Sequence, residues 1–186
     1  MRRMQATDRR VTYTELLQWP DNGRRYELYD GEVVEVPAPI IRHQRVALHV
    51  MDVLHGYEEA TAGIRVPAPF DIVLSEHDVL QPDVVFFRSE RRHLLHDWEP
   101  ARVRPDLAVE VLSPSTQSRD RGRKMAVLAR FGVPEYWLVD PAKNTIEIYA
   151  LRDGVFVLAL AVDALQNVVS PTLPGLSFAA SRLFAA

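Results

Sequence analysis

The chain has 186 residues, of which 47% are hydrophobic and 25% are charged, and it contains no cysteine. This length and composition predict a single globular domain over residues 1–186 and exclude an intrinsically disordered chain. The lack of cysteine excludes a disulfide scaffold, thiolate zinc sites and cysteine nucleophiles. The sequence shows neither an apolar run of roughly 18 residues nor the apolar segment of a secretory signal, so we expect a cytoplasmic protein with no membrane partner.

The basic residues are almost all arginine. The net charge is −3, and 22 basic residues include only two lysines, Lys124 and Lys143. A net charge near neutrality argues only weakly against a nucleic-acid partner, because a local basic patch is hidden in the total. Against this arginine-rich background, a lysine at an inward-facing position is a candidate for function.

The first half of the chain predicts a short helix, a hairpin, a long helix and two strands. The hairpin has the strongest signal, because Asp30-Gly31 separates two runs of alternating polarity. Apolar residues at helical spacing follow the hairpin, and two apolar runs follow that helix. The predicted elements are a helix from Thr14, as its N-cap, to Trp19, strands at 26–29 and 32–36, a helix at 42–59, and strands at 66–74 and 79–87.

The second half predicts a buried strand, a second helix and a strand meander. Gly132 and Pro134 are typical of the end of a helix, and the two short apolar runs on either side of that helix are typical of buried strands. The predicted elements are a strand at 106–112, a helix at 120–131, and strands at 135–140, 145–151 and 155–162. This order predicts an α/β or α+β fold in which helices cover a mixed sheet.

Two carboxylates lie where apolar strand residues are expected. Asp83 precedes the run VVFF, and Glu110 lies within LAVEVL. If the two strands are antiparallel neighbours about 4.8 Å apart, both carboxylates reach one ion. A divalent cation would offset the cost of burying them. Two structural roles stay open: a turn-capping Asp83, and a Glu110 paired with an arginine.

Lys124 is the third candidate. On the predicted helix it shares a face with Val127, Leu128 and Phe131, which should pack on the sheet, so its ammonium should lean toward the carboxylates. The alternative is a lysine that extends from the helix edge to water. Three arginines are expected elsewhere on the same turn, facing solvent or a polyanion: Arg119, Arg121 and Arg123.

The chain resembles the PD-(D/E)XK nuclease superfamily, and most closely its Uma-type restriction endonuclease branch. The resemblance extends from about Tyr26 to Leu151 and rests on the segments YELYDGE, RHQR, QPDVVF, DLAVEVLSPST and RDRGRKMAVLARFGVPEYWLVDP. It implies a restriction-endonuclease-like core of a helix, three strands, a helix and a further strand, within about residues 26–151. It also implies that Asp83 and Glu110 hold Mg²⁺ or Mn²⁺.

One position departs from the superfamily pattern. The motif places a lysine two residues after the acid, where this chain has Leu112, and we interpret Lys124 on the following helix as its replacement. The helix that often supplies a further acidic ligand offers His43 here, and a histidine that only packs at the helix end is an equal alternative. We take His43, Glu32 and Asp71 as candidate supporting residues.

These features predict a Mg²⁺-dependent endodeoxyribonuclease. Asp83, Glu110 and the main-chain carbonyl of Val111 would bind the ion, and Lys124 would orient the attacking water and stabilise the transition state. The three arginines, with the basic arm at 2–10, would contact the DNA backbone. No phosphate-binding glycine loop, dinucleotide fingerprint or HExxH motif occurs.

Two further expectations concern assembly. The apolar strand at 155–162 has no evident internal cover, and cleavage of both DNA strands needs two sites, so a homodimer is expected. The alternative to a nuclease is a binding or assembly module that keeps the fold and lacks the reaction. The missing strand lysine and the weak basicity favour that alternative.

Overall fold

The structure, a computed structural model, describes residues 10–185. Within them the helices are α1 (Tyr13–Leu16), α2 (Ile41–Thr61), α3 (Gln117–Arg119), α4 (Met125–Arg130) and α5 (Ser181–Phe184). A 3₁₀ helix covers Ser89–Leu94, and a π-helical turn at Asp120–Lys124 joins α3 to α4. The strands are β1 (Arg25–Tyr29), β2 (Glu32–Val36), β3 (Ile64–Pro67), β4 (Ile72–Ser75), β5 (Asp78–Leu80), β6 (Val84–Phe87), β7 (Leu107–Val111), β8 (Glu135–Asp140), β9 (Thr145–Arg152), β10 (Val155–Asp163), β11 (Asn167–Val169) and β12 (Ser177–Ala179).

A six-stranded mixed sheet forms the centre of the fold, with the strand order β10-β9-β8-β7-β6-β3. Strands β7 and β8 run parallel, and the other neighbours in this sheet are antiparallel. A second, antiparallel sheet has the order β2-β1-β5-β4 and contains the N-terminal hairpin. The predicted fold class is therefore confirmed. No helix of residues 10–185 is long and apolar enough to cross a membrane.

The central sheet is covered on both faces, and strand alternation decides which residue faces which helix. Val109 of β7 packs in one apolar cluster with Val50 of α2. Ala108 and Leu112 pack in a second cluster with Leu128 of α4. Because Glu110 is two residues from both Ala108 and Leu112, it belongs to the face of the sheet that α4 covers.

The predicted strands at 66–74 and 79–87 are wrong as single elements. Each divides into two strands, and β4 and β5 belong to the second sheet, where β5 pairs with β4 on one side and with β1 on the other. Prolines 67, 69 and 82 explain the breaks, because proline has no N–H to continue a ladder.

Two helix starts also differ from prediction. Thr12, not Thr14, caps α1: its hydroxyl accepts the N–H of Glu15 at 3.1 Å, and the Glu15 carboxylate accepts the N–H of Thr12 at 3.0 Å. The second predicted helix begins at Gln117, three residues early, and contains the π-helical turn. Hydrophobic spacing carries no signal for such a turn.

Two glycines give a test of the packing around α2. Gly63 follows the helix, and a Cβ there would lie 2.9 Å from the Phe87 carbonyl oxygen and against the buried ring of Phe86. We expect Gly63→Ala to cost about 1–3 kcal/mol in urea unfolding. Gly56 lies within α2, and a Cβ there would meet no atom within 4 Å, so Gly56→Ala should raise the free energy of unfolding by about 0.5–1 kcal/mol. Equal stabilities for the two variants would contradict this packing.

Candidate functional site

The two strand acids meet at the end of the β6–β7 ladder. Val84 lies opposite Val109 in that antiparallel pair, so the next step along the strands brings Asp83 beside Glu110. Asp83 Oδ2 accepts the N–H of Val111 at 2.7 Å, which ties the acid to the end of β7. The same oxygen lies 3.1 Å from Nε2 of His43, in the first turn of α2.

Lys124 extends from the π-helical turn toward Asp83 and Glu110 at the end of this ladder. Its Nζ lies 2.5 Å from Glu110 Oε1 and 2.7 Å from Glu27 Oε1, and it donates to the Gln81 carbonyl at 3.5 Å. The side chain is only 2% exposed. A lysine reaching out to water is therefore the wrong description of this residue.

The cluster contains more carboxylates than cations. Glu27, Asp83, Glu110 and Asp120 lie around Lys124 and Arg119. Burial, together with the neighbouring carboxylates, raises the pKa of Glu110 well above its usual value. Burial alone would lower the pKa of Lys124, but the carboxylates of Glu110 and Glu27 outweigh it and hold that pKa well above normal. The lysine is therefore a stable cation in an anionic cluster.

A cavity of about 190 Å³ opens onto this cluster. Its wall includes Asp83, Glu110, Lys124, His43 and Arg119. A second cavity of about 670 Å³, which we call the hairpin groove, adjoins the first. Five residues line both cavities: Arg25, Val36, Ala38, Pro39 and Asp83. Asp83 thus lies where the two cavities meet.

The remaining predicted acids lie outside the small cavity. Glu32 is exposed and pairs with Arg123 at 2.8 Å. Asp71 accepts hydrogen bonds from the Tyr13 hydroxyl at 2.8 Å and from Gln81 Nε2 at 2.6 Å. These three contacts hold the two acids within the surrounding fold.

The three arginines do not all face solvent, so that half of the expectation is wrong. Arg119 turns into the cavity wall, with its Nε 3.8 Å from Glu27 Oε2. Arg121 makes a bidentate contact with the Glu147 carboxylate, in which its two terminal nitrogens donate at 2.6 and 2.9 Å. Arg123 pairs with Glu32 and donates to the Tyr29 carbonyl at 2.7 Å. Residues 2–9 of the predicted basic arm lie outside the described residues, and Arg10 pairs with Asp30.

Glu27 belongs to this cluster, although the sequence indicates only a structural or supporting role for it. It lies on β1, in the other sheet, and is completely buried. An acid in a hairpin strand is ordinarily solvent-facing, so its alternation with Leu28 gives no reason to place it in this cluster. The one available signal is that it belongs to the family-like segment YELYDGE.

Residues 10–185 contain no group of three or more His, Asp or Glu side chains arranged to hold a metal ion. The small cavity instead offers two carboxylates, Asp83 and Glu110. Mg²⁺ is commonly held by one or two carboxylates, with water and substrate phosphate as the other ligands. The oxygen donors of this cavity therefore fit Mg²⁺ or Mn²⁺.

Comparison with known proteins gives the family. The Uma2 model, described as "Putative restriction endonuclease", matches residues 13–181. The chain belongs to the Uma2 family. A crystal structure of a putative nuclease belonging to DUF820, from Anabaena variabilis ATCC 29413, is similar to it with a TM-score of 0.77. The two chains are 20% identical over 94% of this chain and 97% of the other, which shows the shared fold. No curated protein matches the sequence.

The buried ion pairs of this Uma2 protein predict a large effect of Lys124→Met. The substitution leaves Glu27 and Glu110 buried without their cation, which typically costs about 3–5 kcal/mol. Lys143→Met is the matched control, because that lysine is 69% exposed and should change stability by less than about 1 kcal/mol. Urea unfolding in EDTA measures both.

The loss should also depend on pH. Burial raises the pKa of Glu110, so the folded variant holds that proton more tightly than the unfolded chain does. The stability lost in Lys124→Met relative to the parent should be smallest below the unfolded glutamate pKa of about 4.3 and should grow as the pH rises through the raised folded pKa of Glu110. A loss independent of pH would show that Glu110 stays ionised without Lys124.

Proposed function

We propose that this Uma2 protein is a metal-dependent endodeoxyribonuclease. The observation that carries the proposal is the meeting of two strand acids and a buried lysine at one cavity, with Lys124 Nζ 2.5 Å from Glu110 Oε1. Such a set of groups suits phosphodiester hydrolysis, in which negative charge grows on the phosphate. The family is described as "Putative restriction endonuclease" and the structural neighbour as "a putative nuclease", and both descriptions support the same reaction class.

Asp83 and Glu110, with the main-chain carbonyl of Val111, would hold the Mg²⁺ or Mn²⁺ ion. The surplus of carboxylates around the cavity favours a cation there. When bound, the ion would lower the pKa of a water molecule and neutralise charge on the phosphate. The N–H of Val111 and the His43 ring both contact Oδ2 of Asp83, at 2.7 and 3.1 Å, and so fix the direction of its carboxylate.

Lys124 and Arg119 would act on the phosphate. Both line the small cavity, and both are largely withdrawn from water, with side chains 2% and 18% exposed. A cation fixed in a poorly solvated wall stabilises developing negative charge more than a mobile surface lysine does. Lys124 would also orient the attacking water.

DNA is the proposed substrate, and the hairpin groove is its proposed path past Asp83. Arg24 and Arg25 lie on the groove wall, next to apolar side chains such as Leu48 and Met51. Arginines supply the phosphate contacts that dominate nucleic-acid affinity. Arg121 and Arg123 would reach a phosphate only by exchanging their carboxylate partners, so Arg119 is the better placed of the three predicted arginines.

Removing either strand acid should abolish metal binding. We expect Asp83→Asn and Glu110→Gln to lose Mn²⁺ affinity, measured by titration calorimetry, and Mn²⁺-dependent cleavage of plasmid DNA. Both variants should fold, and their melting temperature in EDTA should be unchanged or higher, because each relieves repulsion among carboxylates.

Glu59→Gln is the control for these variants, because Glu59 is exposed near the far end of α2. It should bind Mn²⁺ and cleave DNA like the parent. Unchanged Mn²⁺ affinity in both acid variants would make the carboxylates structural. Mn²⁺ binding by the parent without any cleavage would favour the catalytically silent module.

Lys124 should affect rate rather than metal binding, because an ammonium cannot ligate a cation. At a temperature where the variant is folded, Lys124→Ala should keep or slightly tighten Mn²⁺ binding and cleave about 10²- to 10³-fold more slowly. Lys124→Arg should recover little, since a planar guanidinium does not replace a compact ammonium in a packed position. An arginine variant as fast as the parent would refute this role.

A homodimer is the proposed assembly. Strand β10 is the edge of the central sheet, and among the described residues its ladder partner is β9 alone. Val155, Val157 and Leu158 on this strand are 60%, 49% and 51% exposed, an apolar edge that monomeric proteins usually protect. Light scattering at micromolar concentration should give about twice the chain mass of 21.2 kDa. A monomer mass would overturn the proposal.

A further inference from the structure

Glu27 connects the N-terminal hairpin with the small cavity. It lies on β1, in the four-stranded sheet, whereas Glu110 lies on β7 of the central sheet. The Glu27 side chain is fully buried, and its Oε1 lies 2.7 Å from Lys124 Nζ. The hairpin therefore supplies one of the two carboxylates that hold the lysine.

Both oxygens of Glu27 are already occupied by donors. Oε1 accepts the N–H of Gln81 at 2.8 Å in addition to the lysine contact, and Oε2 accepts the hydroxyl of Tyr29 at 2.7 Å. Burial raises the pKa of Tyr29, so its hydroxyl keeps the proton that it donates. A carboxylate held by this many donors has a fixed position.

Glu27 lies behind the lysine rather than beside the proposed metal ligands. Among the described residues, the wall of the small cavity includes Lys124, Glu110 and Asp83 but not Glu27. A carboxylate with both oxygens engaged and no access to the cavity is suited to orienting Lys124 and poorly suited to binding an ion.

The need for such a residue follows from where the lysine is attached. A lysine on a helix has a flexible four-carbon stem, and holding its ammonium in one position costs side-chain entropy. Glu110, the other carboxylate partner, would share its oxygens with the metal ion in the loaded protein. Glu27 is then the anion left to hold the ammonium in place.

We infer that Glu27 is a positioning residue that fixes the Lys124 ammonium at the cavity wall, which makes the N-terminal hairpin part of the catalytic machinery. The inference rests on the proposed nuclease function for its catalytic consequence. The Glu27–Lys124 contact itself is independent of that function and is testable in the metal-free protein.

The two lysines of the chain give a direct probe of the contact. In protein labelled with ¹⁵N-lysine, the Lys124 ammonium is buried between carboxylates and should give an NMR signal protected from exchange with water. Lys143 is 69% exposed and should exchange too fast for such a signal. Glu27→Gln should shift or remove the Lys124 signal, whereas Glu59→Gln should leave it unchanged.

Cleavage kinetics test the catalytic consequence. Glu27→Gln should lower kcat about 10- to 100-fold, the usual effect of losing a group that orients another active residue, with KM for DNA and Mn²⁺ affinity unchanged. In a Lys124→Ala background the same substitution should produce no further loss, because its effect acts through the lysine. Tyr29→Phe keeps the carboxylate and removes one donor to it, so it should shift the Lys124 signal less and lower kcat less.

Several results would overturn the inference. An unchanged Lys124 signal in folded Glu27→Gln would show that the carboxylate does not hold the ammonium. A further loss of rate in the Lys124→Ala background would show that Glu27 acts on its own or through Arg119, whose Nε lies 3.8 Å from Glu27 Oε2. If Glu27→Gln fails to fold, an unchanged signal and rate in Tyr29→Phe would overturn the inference in its place. A parent that cleaves no DNA, with a lysine signal that still responds to Glu27→Gln, would overturn the proposed function and the catalytic role while keeping the contact.

Discussion

The ammonium of Lys124 lies between carboxylates that come from two different sheets. Glu110 belongs to the central sheet, Glu27 belongs to the sheet of the N-terminal hairpin, and the lysine comes from the helical segment between β7 and β8. One buried cation thus fixes the relative position of three parts of the protein. Because each carboxylate would be costly to bury without it, the position of the hairpin, the entry of the helix and the shape of the cavity depend on this contact.

The same cluster is a compromise between stability and binding. A site with four carboxylates and two fixed cations is less stable in the absence of metal than a balanced ion-pair network would be. The protein limits the cost through local donors. Val111 and His43 hold Asp83, while Tyr29 and the Gln81 backbone hold Glu27. The charge that remains uncompensated lies at the wall of the cavity, where a cation and a phosphate would meet.

The sequence predicts this site to the extent that local periodicity controls it. Alternation in LAVEVL places Glu110 on a defined face of a strand, and helical spacing places Lys124 on the inward face of the next helix. Antiparallel pairing then suffices to bring Asp83 alongside. For Glu27 the sequence indicates only a structural or supporting role, because its partners Gln81 and Lys124 are 54 and 97 positions away in the chain and no local pattern encodes contacts over such separations. The partners of Arg121 and Arg123 are of the same long-range kind.

The division of the predicted strands 66–74 and 79–87 could have been predicted from the sequence, since prolines at 67, 69 and 82 forbid continuous ladders.

The packing around Leu112 explains why the lysine of this site belongs to the helix. Leu112 lies two residues after Glu110, on the same face of the sheet, and it is 5% exposed in an apolar cluster with Val127, Leu128 and Val133. A lysine at that position would bury its charge among apolar side chains of α4, with its carboxylate partners engaged elsewhere. Lys124 reaches Glu110 from the helical segment, one turn before Val127 and Leu128, so the same segment that fills the space beside Leu112 also carries the ammonium. The apolar residue on the strand and the lysine on the helix therefore depend on each other, because the packing of the same helical segment sets both. Moving the lysine back to the strand would require the helix face to change with it.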